Sequence, residues 1–173
     1  MKGLNIGCGY KIKEGYINLD SKKLKGVDVV HDLNKYPYPF KDNSFDIIEA
    51  RAVLEHLNDI VKPLEELYRI LKPNGKIKVR VPIYPSITYF NDPTHKSVYS
   101  YYTFFYFEKG SGWDYYSSAK FKIKFIEIEF HKSLFLIQLL INMSRLTQKI
   151  YYNFLFYIIP ASFLNVILEK EEK

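Results

Sequence analysis

Residues 4–9 read Leu4-Asn5-Ile6-Gly7-Cys8-Gly9, and residues 16–20 read Tyr16-Ile17-Asn18-Leu19-Asp20. A short apolar strand runs into a Gly-x-Gly turn, and a second apolar strand ends in an acid. The pattern suits a nucleoside: glycine lets bare backbone approach a ligand, and a carboxylate accepts hydrogen bonds from ribose hydroxyls. Cys8 lies inside the turn, where a small side chain is wanted.

Working outward, Val27 to Val30 forms a third strand that ends at His31-Asp32, and Phe45 to Ile48 a fourth. Such short apolar runs suit a sheet buried on both faces. Asn58 or Asp59 caps a helix that continues to about Leu71, with Val61, Leu64, Tyr68 and Leu71 on one apolar face. Pro63 falls in its first turn, where a missing N–H costs little. Lys72-Pro73-Asn74-Gly75 stops the helix and turns the chain. Lys76 to Val81 alternates basic and apolar residues as a fifth strand. Residues 82–119 are long, aromatic and turn-rich, the mark of a lid or binding wall. Phe121 to Phe130 alternates with one phase slip, which reads as a bulged strand. Leu134 to about Gln148 reads as a helix, and Phe163 to Leu168 as the last strand. The expected architecture is α/β, in three layers, around a mainly parallel sheet.

The 173 residues fit one domain, residues 1–173. The formal charge is +6, but the basic residues are dispersed, with Lys22-Lys23 and Lys25 the densest group. That dispersion argues against nucleic acid as a partner. Cys8 is the single cysteine, which excludes an internal disulfide framework and a cysteine-built metal site. Met1-Lys2-Gly3 leads directly into the first strand and leaves no room for a signal peptide, so the expected location is cytoplasmic. Ile150 to Leu168 carries no charge. Asn153, Pro160, Ser162 and Asn165 make it a poor spanning helix. It reads as a buried segment followed by a strand, with peripheral membrane contact as the alternative.

Spacing narrows the ligand. A dinucleotide fold needs a helix after the glycine turn to hold pyrophosphate. Only Tyr10 to Gly15 separate Gly9 from the second strand, about one and a half helical turns at most. The third glycine of that pattern is replaced by Ile12. S-adenosylmethionine carries a nucleoside without phosphate and escapes the objection. Asp20 can accept from both ribose hydroxyls, Asp32 from the adenine amino group, and Leu33 can cover the ring.

Further stretches fall in a familiar order: His31-Asp32-Leu33, Pro39-Phe40-Lys41-Asp42-Asn43-Ser44-Phe45-Asp46-Ile47-Ile48, Val53-Leu54-Glu55-His56-Leu57, and Glu66-Leu67-Tyr68-Arg69-Ile70-Leu71-Lys72-Pro73-Asn74-Gly75. With the glycine turn and Asp20, they resemble the small class I S-adenosylmethionine-dependent methyltransferases of the type 11 kind. The resemblance covers residues 4 to 81, the cofactor half. Asp92-Pro93-Thr94-His95 resembles a subgroup of predicted methyltransferases. The resemblance implies a Rossmann-like, seven-stranded, mostly parallel sheet whose last strand is antiparallel. It implies that Gly7, Cys8 and Gly9 line the methionine end with Asn5 and Ala50 nearby, that Asp20 meets the ribose, and that Asp32 and Leu33 meet the adenine. S-adenosylhomocysteine would be the product. Three departures stand out. Asn5 replaces the usual acid of strand one, the first crossover helix is almost absent, and no cap helix precedes strand one. The cleft is therefore open, or covered by a second subunit in a homodimer.

Methyl transfer is an in-line displacement that needs a positioned acceptor and a partly dry site. A hydroxyl or protonated amine acceptor also needs a base, and imidazole is the side chain best suited to that task. His95, in the rigid Asp92-Pro93-Thr94-His95 turn, is the first candidate. His56 is the second, with Glu55 able to orient it. Arg51 could receive an acidic acceptor. His31 and His131 lack supporting groups, and no metal site is expected. The acceptor implied by family context is a small molecule or a glycan-linked group. A cofactor-binding module without turnover, and an RNA or protein methyltransferase, are the alternatives.

Overall fold

The computed structural model describes residues 1–171. Seven strands form one sheet: β1 (Gly3–Ile6), β2 (Tyr16–Asp20), β3 (Val29–Val30), β4 (Phe45–Arg51), β5 (Leu71–Pro82), β6 (Phe121–Glu129) and β7 (Phe163–Lys170). Four helices accompany them: α1 (Val61–Ile70), α2 (Ile87–Phe90), α3 (Phe135–Ile141) and α4 (Arg145–Ile150). The strand order is β3-β2-β1-β4-β5-β7-β6. Neighbours pair in parallel through β5, and β7 runs antiparallel to both β5 and β6. The chain moves outward from β1 to β3 and returns on the other side of β1 at β4. Such a reversal opens a crevice at the carboxyl ends of the strands, where ligands of open α/β sheets bind.

One face of the sheet is apolar. Leu4 pairs with Ile17 and Ile48, Ile77 with Leu168, and Val79 with Val166. All but Ile17 are buried. Leu64, Leu67 and Ile70 of α1 are buried in the same core. The helix thus turns a slightly different side inward than the expected Val61, Leu64, Tyr68 and Leu71, and Asp59 Oδ1 accepts from Val61 N at its start, 2.6 Å away. Tyr99, Tyr101, Phe104 and Phe107 are also core residues. Residues 82–119 are therefore not a lid throughout; burial of large rings holds the second half in place.

The other face is polar. Asn5 pairs with Asn18 and Glu49, Glu49 with Lys78, and Arg80 with Asn165. The connections 7–15, 21–28 and 31–44 contain no α-helix, so the helix layer of a three-layer arrangement is missing beside β1, β2 and β3. The cause is visible in the strands: a face built from amides and charges, paired with one another and with residues 11–13, has little apolar area to bury against a helix.

The C-terminal region departs most from expectation. The helix expected from Leu134 to Gln148 is broken into α3 and α4. Ser144 caps α4 in a reciprocal pair with Thr147, and Asn142 turns toward edge strand β6. Asn142 accepts from Ile128 N at 2.9 Å and donates to Ile128 O at 2.8 Å. Gln138 accepts from Phe130 N at 3.0 Å, and Gln148 donates to Ile126 O at 2.8 Å. Side-chain amides thus take ladder positions that a further strand would fill. Beyond α4, Tyr151 and Phe156 are buried, but Phe154, Tyr157 and Ile158 are exposed, so the segment is buried only in part. No helix of the described residues is long and apolar enough to cross a membrane.

Candidate cofactor cleft and polar cluster

A cleft of about 300 Å³ opens at the carboxyl ends of β1, β2 and β4. Gly7, Asp20, Asp32, Leu33, Val53 and His56 are among its lining residues. Gly7 and Gly9 have positive φ, 59° and 50°, a region that glycine enters without steric cost. A Cβ at Gly7 would meet Val53 Cγ2 at 2.2 Å, whereas one at Gly9 would point into open space. The turn is therefore packed tightly against the loop after β4 at Gly7 and left clear at Gly9.

Asp20 is aligned by two amides: Gly9 N donates to Oδ2 at 2.8 Å and Lys22 N to Oδ1 at 3.0 Å. Each carboxylate oxygen keeps a further acceptor position, as a ribose diol requires. Asn34 donates twice to Asp32 Oδ1, from N at 3.0 Å and from Nδ2 at 3.1 Å. The backbone bond from Asn34 is the main reason that the Asp32 carboxyl titrates below its usual range. Asp32 stays ionised at neutral pH and can accept from an exocyclic amino group. Leu33 is buried and lines the same cleft. Together with the bare backbone at Gly9, these groups fit the nucleoside part of S-adenosylmethionine.

Other expected residues lie elsewhere. Asn5 is directed at the polar face and away from the cleft. Its Nδ2 donates to Lys11 O and Asn18 Oδ1, both at 2.9 Å. It lines an adjoining groove with Cys8, Lys13, Glu49 and Arg51, which meets the cleft at Gly7. Ala50 is fully buried between Ile6 and Val79, and the cleft wall at that level is Ala52 and Val53. His31 does line the cleft, its Nε2 2.9 Å from Lys35 O.

A compact polar cluster adjoins the cleft. His56 and His95 lie with ring centroids 4.8 Å apart. His95 Nε2 is 3.9 Å from Glu55 Oε1 and 3.9 Å from Asp92 Oδ2. Glu55 is 1% exposed, and its Oε2 has no hydrogen-bond partner among the described residues. Burial pushes its carboxyl above the ordinary value. One ligand atom from each of Glu55, His56 and His95 lies within 4.8 Å of the other two. The folded chain thus joins two of its four histidines to a carboxylate, contrary to the expectation of no metal-type grouping. The orienting partner of His56 is Thr94, whose Oγ1 is 2.9 Å from Nδ1, in place of the expected Glu55.

Residues 4–79 match the family described as methyltransferase domain. They contain the glycine turn, Asp20, Asp32 and the Glu55-His56 pair. Over this stretch, less than half of the 173 residues, the chain is similar to the methyltransferase domain family. Among relatives of the chain, a demethylmenaquinone methyltransferase of Listeria welshimeri is 35% identical over 66 residues, covering 38% of this chain and 28% of the relative. A ubiquinone/menaquinone biosynthesis C-methyltransferase of Escherichia coli is 33% identical over 73 residues, covering 39% and 29%. The matched part therefore spans under a third of those relatives. A solved S-adenosylmethionine-dependent methyltransferase from Archaeoglobus fulgidus shares the fold with a TM-score of 0.66 at 20% identity, covering 98% of this chain and 86% of that one. Phosphoethanolamine N-methyltransferase 2 of Haemonchus contortus, solved with S-adenosyl-L-methionine, gives a TM-score of 0.57 at 17% identity, covering 100% and 49%. The family match ends before Thr94 and His95. Those two residues complete the polar cluster begun by Glu55 and His56.

Proposed function

We propose that this chain transfers a methyl group from S-adenosylmethionine to a polar atom of a small-molecule or glycan-linked acceptor. The observation that supports this most is the shared lining of the cleft, which brings Asp20, Asp32 and His56 together. When bound, S-adenosylmethionine supplies an electrophilic methyl carbon on a sulfonium. The residues do the rest. Asp20 orients a ribose through its remaining acceptor positions, and Asp32 an adenine. Val53 and Leu57 dry the wall beside His56, which favours charge transfer away from sulfur.

His56 is placed to take the acceptor's proton. Thr94 Oγ1 donates its hydrogen to Asp92 Oδ1 at 2.6 Å. It can therefore only accept from His56 Nδ1. That fixes the proton on Nδ1 and leaves a lone pair on Nε2. His95, with a side chain only 7% exposed, packs behind His56 and positions it.

The test is formation of S-adenosylhomocysteine when protein, S-adenosylmethionine and fractionated acceptor pools are mixed. Product that depends on a fraction, and that falls in His56→Ala at unchanged cofactor affinity, supports the reading. Saturable cofactor binding with no product from any pool favours a binding module. Product from RNA or protein fractions alone moves the acceptor to a macromolecule.

A further inference from the structure

We propose that Glu55, His56 and His95 form a binding site for a first-row divalent transition metal of the zinc type. Thr94 accepts from His56 Nδ1, as derived above, so His56 presents Nε2 as a lone pair. His95 Nδ1 lies 2.7 Å from Tyr89 O. A carbonyl only accepts, so that nitrogen carries the proton, and the neutral ring offers Nε2 as the ligand atom. Glu55 contributes two carboxyl oxygens, and its buried Oε2 has no partner among the described residues. Three potential ligand atoms converge, with His95 Nε2 3.9 Å from Glu55 Oε1 and one atom of each residue within 4.8 Å of the other two. A cation completes such a set.

Ligand chemistry selects the cation. Two imidazoles and one carboxylate suit zinc, cobalt or manganese better than magnesium or calcium, which prefer oxygen alone. Metal–ligand bonds of about 2.0–2.2 Å require the three groups to close by about an ångström from their present separations. The outer contacts are of the kind that orients metal ligands: a backbone carbonyl behind His95, and a hydroxyl backed by Asp92 behind His56. With three protein ligands, open coordination positions remain. Because His56 lines the cofactor cleft, an acceptor hydroxyl there could bind the metal and lose its proton to solvent. In that state the metal, and not His56, lowers the acceptor's pKa. This last role rests on the proposed methyl transfer; metal binding does not.

The experiment is titration of chelator-treated protein with Co²⁺ and then Zn²⁺, without cofactor, followed by calorimetry and visible absorption. One equivalent should bind, with cobalt bands that zinc abolishes. His95→Ala and Glu55→Gln should lose this binding. Thr94→Val should weaken it about 10–100-fold by releasing His56. His31→Ala and His131→Ala should leave it unchanged. His56→Ala, at a partly exposed position, serves if Glu55→Gln does not fold. Absence of stoichiometric binding, or equal binding by the ligand variants, overturns the proposal. Failure here leaves cofactor binding and product formation to be judged separately.

A different surface carries a second inference. Leu136, Leu140, Met143, Leu146, Phe154 and Ile158 are 63–75% exposed. Their helices place Gln138, Asn142 and Gln148 inward on β6. Ile141, Tyr151 and Phe156 pack inward, yet a large apolar set remains on the outer side, more than an ordinary surface helix exposes. From residue 130 to 168 there is no Asp or Glu, while Lys132 and Lys149 are present and exposed. With α3 of 7 residues and α4 of 6, the unit is too short to span a bilayer. We infer that it rests on an anionic lipid surface, apolar side chains in the interface and cations at the headgroups. The purified chain should co-sediment with vesicles of phosphatidylcholine and phosphatidylglycerol. Binding should weaken with added salt and fall at least about tenfold for the double variant Leu140→Glu/Leu146→Glu. Lack of vesicle binding, or a concentration-dependent dimer that these changes abolish, contradicts it; the dimer result assigns the surface to a second copy.

Discussion

Gly7 and Gly9 show how far one side chain's absence can be interpreted. Both have left-handed backbone, but only Gly7 lacks room for a Cβ. Gly7→Ala should cost about 1–2 kcal/mol for the backbone, plus about 1–3 kcal/mol for overpacking on Val53. Gly9→Ala should cost only the first amount. Urea unfolding of both variants checks this, and equal losses would show that Val53 moves aside freely. Gly9→Ala should nevertheless lose cofactor affinity, because Gly9 N aligns Asp20 Oδ2 at 2.8 Å and the strained substitution disturbs that amide. The glycines, Asp20 and Asp32 were legible in the sequence, since each follows an apolar strand at short range. Glu55 with His95 was not. They are 40 positions apart, and only the turn of residues 92–95 against Glu55 brings them together; Lys96 N and Ser97 N donate to Glu55 O at 2.7 and 3.0 Å.

Elements are tied by a few charged groups whose titration is predictable. The Arg69 guanidinium donates to Glu66 and Asp42 and to the carbonyls of Phe40 and Tyr38, fastening residues 38–42 to α1. Its hydrogen bond holds the Glu66 carboxyl below the usual range, and Arg80 does the same for Glu129. A carboxyl with a depressed folded value contributes stability that is complete above its unfolded value, about 4.3. That contribution disappears as pH falls through the lower folded value. Stability should therefore drop steeply below about pH 4.3, and Arg69→Met and Arg80→Met should flatten the drop. A pH series of denaturation midpoints decides; unchanged slopes would remove these pairs from acid stability. At β6, Asn142→Ala should cost about 1–3 kcal/mol, because Ile128 N and O lose their partner. Thermal unfolding measures that cost. The bulge in β6 was legible from its phase slip, and the register does shift between Ile123 and Phe125. The break between α3 and α4 was not, because apolar residues continue on both sides of Asn142. The choice there is made by unpaired groups of a strand distant in sequence.

At the scale of the molecule, the sheet order and the antiparallel β7 agree with the family resemblance, while the missing helix layer does not agree with three layers. A local signal did exist. Lys76-Ile77-Lys78-Val79-Arg80-Val81 alternates, as a strand with one hydrated face does, and Lys76 and Lys78 are exposed. The runs at β1 and β4 hid it, since Asn5 and Glu49 are buried by one another's neighbours despite lying on the polar face. The short link from Gly9 to β2, which argued against pyrophosphate, is also what leaves that face bare. Everything then returns to the cleft beside Gly9. The most direct measurement is calorimetric titration of the purified chain and of Asp20→Ala with S-adenosylmethionine, with NAD as the control ligand. One saturable site per chain is predicted, weakened in the variant by about 1–3 kcal/mol, or about 5–150-fold, with no NAD binding. Equal affinity in the variant, or binding of NAD in place of S-adenosylmethionine, would contradict it.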